Sequence, residues 1–152
     1  MAINIGKVVT GGLVAGVVAN AVDFVTNNYV LAADWQAWAS QHNIDAASLT
    51  SPSVAGTWVV VDFFFGLLLV WTYAAMRPRF GAGIQTAFAA GLVIYLAPTL
   101  VLFGFTMMGM MTWAMFVKGS CAAIVSTFGA AIVGAALYKE EGAARSAAFA
   151  KA

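Results

Sequence analysis

Long apolar runs dominate this chain, and polar positions interrupt them at a few places only. A helix needs about 20 mostly apolar residues to cross a bilayer, and four stretches meet that length: Ile5–Leu31, Val54–Met76, Ile84–Phe105 and Met111–Tyr138. The second, VAGTWVVVDFFFGLLLVWTYAAM, is apolar on every side. A membrane strand would instead alternate apolar and polar residues over segments of roughly ten. The pattern therefore predicts an all-α membrane protein, a four-transmembrane-helix bundle forming a single domain.

The polar stretches predict the connections. Ala32–Ser53 is a loop with a short interfacial helix at Asp34–Gln41, opened by Asp34 as N-cap. Trp35 and Trp38 lie one turn apart on that helix. Together with Trp58 and Trp113 they form a set of aromatic residues at headgroup depth, where Trp is enriched. Between the second and third spans, Pro78 should turn Arg77 out of helix, and Gly81 and Gly83 permit a tight hairpin. The first segment imitates a secretory signal, with Lys7, an apolar run and Ala19-Asn20-Ala21. It is read as the first span. A faint internal echo, Gly12-Leu13-Val14 against Gly91-Leu92-Val93 and Tyr73 against Tyr138, is what two related hairpins would leave.

Composition narrows the function classes. Hydrophobic residues make up 62% of the 152 and charged residues 9%, against about 45–50% and 25% in soluble domains. Lipid is the natural solvent for most of this surface. A net charge of +1 leaves no basic footprint for nucleic acid. The single Cys121 excludes an internal disulfide and any multi-cysteine metal centre. The distribution of bases sets the threading: Lys7, Arg77, Arg79, Lys139, Arg145 and Lys151 all fall on one side of the four spans. By the positive-inside rule both termini and the tail 139–152 face the cytoplasm, and Ala32–Ser53 lies outside.

Gly11-Gly12-Leu13-Val14-Ala15-Gly16, Asn20, Asp23-Phe24 and Asp34-Trp35 are followed by Trp71-Thr72-Tyr73-Ala74-Ala75-Met76-Arg77-Pro78-Arg79-Phe80-Gly81 and Leu137-Tyr138-Lys139-Glu140. In these residues the chain resembles a group of small uncharacterised bacterial four-span membrane proteins. The resemblance runs the full length and is specific at the first helix and the RPRFG turn. It implies the four-span architecture and no activity; the location expected for such a chain is the bacterial inner membrane.

Three charges lie inside the predicted spans. Asp23, Asp62 and Lys118 are seven or eight residues in from the outer boundary, which is roughly 10–12 Å at 1.5 Å per residue. Such residues usually face the bundle interior and pair, so one buried Asp/Asp/Lys cluster is expected. Asn20, Asp23 and Asn27 share one face of the first helix with Gly12 and Gly16, and the glycine pair is a small-xxx-small packing signal. Met107, Met108, Met110, Met111 and Met115 crowd the outer turn without a regular ligand spacing, and read as packing before a Cu(I) site. His42 is read as a loop residue and Cys121 as a small buried filler. No nucleophile motif, phosphate loop or metal set is present, so no enzyme, cofactor or metal is expected. The residues point to a structural or assembly subunit of a homo-oligomer or larger membrane complex. The alternative is an ion- or proton-coupled channel or transporter using the intramembrane cluster.

A cysteine placed at Ser48 should react with a membrane-impermeant thiol reagent on intact cells. Reaction only after permeabilisation would reverse the threading.

Overall fold

In the computed structural model, which describes residues 3–139, every regular element is helical. α1 (Ile5–Val25) continues through one π-helical turn (Thr26–Val30) into α2 (Ala32–Gln41). The one-turn α3 (Ala46–Leu49) leads to α4 (Pro52–Phe80), and α5 (Ile84–Met107) and α6 (Trp113–Leu137) follow. Among the described residues, Ile5–Val30, Ala46–Phe80, Ile84–Met107 and Trp113–Leu137 are long and apolar enough to cross a membrane. The chain is a multi-pass, all-α membrane protein built as a four-helix bundle. The tail expected to follow Lys139, with Arg145 and Lys151, lies outside the described residues.

Local chemistry sets where the helices begin. The side chains of Asn4, Asp45 and Thr112 accept the N–H groups of Lys7, Ala47 and Met115, each satisfying an otherwise orphaned donor. Pro52 opens α4, where its missing N–H costs nothing.

Two expectations about boundaries fail. α4 does not stop before Pro78 but runs through it to Phe80. Pro78 sits in the last turn, so a single ladder bond is lost, and the next closing bond, Gly81 N–H to Arg77 O at 2.9 Å, is still made. Gly81, at φ 84°, then ends the helix. Asp34 is not an N-cap either. α2 starts two residues earlier, with Leu31 as its cap, and Asp34 occupies the first turn, where a carboxylate suits the helix dipole.

α1 packs against α4 and α6, α5 packs against the same two helices, and α4 meets α6 across the centre. Lipid offers helices no hydrophobic reason to associate, so close packing of small residues must hold them. Alanine and glycine supply it: Ala15, Ala87, Ala90 and Ala130 are almost completely buried. The closest approach lies between α1 and α4. A Cβ at Gly66 would stand 2.5 Å from the Gly16 nitrogen, and one at Gly12 would stand 2.7 Å from the Leu67 Cα. A second crossing joins α1 to α6, where a Cβ at Gly11 would meet the Gly134 carbonyl oxygen at 2.8 Å. The small-residue face expected at Gly12 and Gly16 is therefore buried as expected, and Gly66 is its counterpart.

At the end of the bundle that carries the described termini, two tyrosines do equivalent work. The Tyr138 hydroxyl accepts Asn4 N–H at 3.2 Å and the Tyr73 hydroxyl accepts Gly83 N–H at 3.2 Å. Each tyrosine lies near the end of one helix and holds the residue just before another. Their rings meet edge to face at 5.9 Å, which ties α4 to the end of α6.

Gly66→Ala should lower stability by about 1–3 kcal/mol, because backbone rather than a flexible side chain blocks the added methyl. Gly104→Ala, where a Cβ meets nothing within 4 Å, should be neutral or mildly stabilising. Loss of helical circular dichroism in a denaturing-detergent titration compares the two. Equal stability would place the crossing elsewhere.

Candidate functional site

Most hydroxyls in the spans are satisfied within their own helix. Thr10, Thr26, Thr72, Thr99 and Thr106 each donate to the carbonyl four residues earlier, at 2.7–2.9 Å. A carboxylate has no donor with which to do this, so Asp23 and Asp62 must find partners on other helices. They find each other. Asp62 is 8% exposed, and its carboxyl neighbours that of the half-buried Asp23, which also has the Ser126 hydroxyl of α6 close by. Ser126 and its neighbour Thr127 are themselves buried.

The geometry follows from the glycine crossing. Gly16 lies against Asp62 and Phe63, and Asp23 is two turns further along the same face of α1. Side chains on a helix lean toward its N-terminus. α1 and α4 run in opposite directions, so Asp23 and Asp62 lean toward each other. Asn20 stitches the same seam, its Nδ2 donating to Gly16 O at 2.9 Å and to Val59 O of α4 at 3.3 Å. An O–H···O bond between two carboxyl groups requires a proton on one of them. The arrangement is a pair of neighbouring carboxyls that could bind one proton between them, with a serine hydroxyl beside it.

Lys118 does not join the pair. Its Nζ lies 2.7 Å from Asp34 Oδ2, near the loop end of the bundle. The expected three-member cluster rested on equal depth, and the true helix starts remove that equality. α4 begins at Pro52, two residues before the expected boundary, and α6 begins at Trp113, two residues after it. Lys118 precedes Ser126 by eight residues of α6, about 12 Å along the axis, beyond what a lysine side chain bridges. Cys121 departs from expectation too. It is exposed rather than buried, because it shares with Lys118 a face of α6 that turns away from the core.

The remaining polar and aromatic residues build the loop end. Asn27 donates through Nδ2 to Asp23 O at 2.9 Å, and its Oδ1 accepts Trp35 Nε1 at 3.1 Å. Trp38 donates from Nε1 to Met110 O at 2.9 Å and stacks on His42 at 4.3 Å between ring centroids. Trp35 and Trp38 thus anchor α2 to the bundle, whereas Trp58 and Trp113 are exposed on α4 and α6. Of the methionines around the turn, Met115 is buried while Met107, Met108 and Met110 are exposed. Among the described residues, no group of three or more His, Cys, Asp and Glu side chains is placed to hold a metal ion.

The sequence does mark Ser126, though only faintly: Ser126-Thr127 is the one adjacent pair of hydroxyls within the fourth apolar run. Nothing in the spacing links Asp34 to Lys118, which are 84 residues apart. No family model, curated protein or solved structure matches the chain. The fold and the site define a multi-pass helical membrane protein with two neighbouring carboxyls between α1 and α4, beside α6.

Asp62→Asn keeps a donor facing Asp23 and should be tolerated within about 1 kcal/mol. Asp62→Leu strands Asp23 with only Ser126 and should cost about 1–3 kcal/mol. Thermal unfolding in detergent measures both, and equal effects would contradict the contact.

Proposed function

We propose that this chain is an ion- or proton-coupled protein of the bacterial inner membrane, with both termini cytoplasmic, and that Asp23 and Asp62 hold the exchanging proton or a small monovalent cation in its place. The observation that carries this reading is the carboxyl pair itself, together with the commitment of Lys118 to Asp34. A lysine between the two carboxyls would have made a neutral packing device. Two carboxyls with no cation paired to them among the described residues are an expensive feature inside a bilayer, and such groups mark proton and ion paths.

The packing around the pair favours exchange over an open pore. On the side of the termini, the Gly16–Gly66 and Gly11–Gly134 crossings leave little room for water between α1 and its neighbours α4 and α6. On the other side lie the π-helical turn and α2. Access from one side at a time, with helix movement between, is the simpler way to use such a site.

The other reading is a structural or assembly subunit, joined to further copies or to other membrane subunits. The backbone-tight α1–α4 crossing favours it, since the carboxyl contact would then only lock helix register. Flux separates the two. Vesicles containing the wild-type chain should pass protons or a monovalent cation well above the leak of empty vesicles. A folded Asp23→Asn, Asp62→Asn variant should fall to that leak. If the wild type passes H⁺, Na⁺ and K⁺ no faster than the variant, the pair is a packing device and the assembly reading takes its place.

A further inference from the structure

α2 is ten residues long, too short to be stable as a helix on its own, so its contacts decide where it lies. Three polar contacts reach three different parts of the bundle. Trp35 binds Asn27 just beyond α1, Trp38 binds the carbonyl of Met110 in the α5–α6 turn, and Asp34 pairs with Lys118 on α6. Ala39 is fully buried and Leu31 is 5% exposed; the helix packs mainly on the π-helical turn and α3 and reaches α6 and the α5–α6 turn through side chains.

Through Asn27, α2 connects to the backbone of Asp23. Asn27 accepts from Trp35 with one atom of its amide and donates to the Asp23 carbonyl with the other. Between Asp23 and α2 the chain makes the π-helical turn Thr26–Val30, a geometry that recurs at functional sites within helices. The fastening is light. The Lys118 side chain is 45% exposed and that of Asp34 18%, so solvent weakens their attraction. The opposite side of the pair is closed by backbone against backbone.

We propose that α2 is a lid over the loop-end side of the Asp23–Asp62 pair, latched by the Asp34–Lys118 ion pair and hinged at the π-helical turn. The lid rests on the reading of the pair as an exchange site and adds how access to it is controlled. With the latch closed, Trp35 and Asn27 hold the approach to Asp23. With it open, α2 swings on Thr26–Val30 and water reaches the pair.

The test uses the full chain in lipid vesicles, carrying Cys121→Ala and the reporter Ser126→Cys, and reads the rate of reaction with a charged thiol reagent. Lys118→Met and Asp34→Asn should each raise the rate about two- to fivefold. The exchange Asp34→Lys with Lys118→Asp should return it to the rate of the latched chain. Equal rates in all variants, or a rise that the exchange does not reverse, would overturn the lid. In chains that keep Ser126, amide hydrogen exchange should accelerate across Ala32–Gln41 when the latch is broken and stay unchanged in α6 below Lys118. Unchanged exchange in α2 would also overturn it. Neither readout involves transport, so failure of the lid leaves the carboxyl-pair reading standing, and absence of flux leaves the lid to be judged on its own.

Discussion

The backbone-to-backbone approach of α1 and α4 at Gly66 is the constraint from which the rest of the bundle follows. With no side chain at Gly12, Gly16 or Gly66, the two helices come close enough for dispersion forces to hold them in a solvent that offers no hydrophobic drive. That approach fixes their register. The register in turn puts Asn20 beside the Val59 carbonyl and turns Asp23 and Asp62 toward each other. A shift of one residue on either helix would rotate a carboxylate toward lipid.

The bundle therefore has two ends of different character. The end with the described termini is packed with alanine and glycine and carries Tyr73 and Tyr138, whose hydroxyls hold the residues leading into α5 and α1. The loop end is assembled from tryptophan N–H groups, one asparagine and one ion pair. These contacts are individually weak and reversible. The carboxyl pair lies between these two halves, and the threonine hydroxyls, folded back on their own helices, take no part in it.

Much of this was legible in the residue pattern, for physical reasons. A bilayer admits helices of a narrow length range, so the four apolar runs could be read directly as four spans, and each overlaps an observed helix over most of its length. The face carrying Gly12, Gly16, Asn20 and Asp23 was legible because helical spacing alone places those residues together. What was not legible depended on distances between helices. Whether Lys118 meets Asp62 or Asp34 turns on shifts of two residues at the starts of α4 and α6, and hydropathy does not resolve helix ends so finely. Pro78 misled because the rule that proline ends a helix weakens in a last turn, where few ladder bonds remain to be lost. Gly66 went unread because its partner surface lies on another helix.

The central claim is that Asp23 and Asp62 interact directly inside the bundle. A double-mutant cycle measures that interaction most directly, using Asp23→Ala, Asp62→Ala and the double replacement, each unfolded reversibly in the same detergent. Residues in one hydrogen-bonded contact couple by about 0.5–3 kcal/mol. The contact described here predicts a coupling of about 1 kcal/mol or more, with the double replacement costing clearly less than the two single replacements added together. Additivity to within about 0.3 kcal/mol would mean that the two carboxyls do not touch, and the account of the site would fall with them.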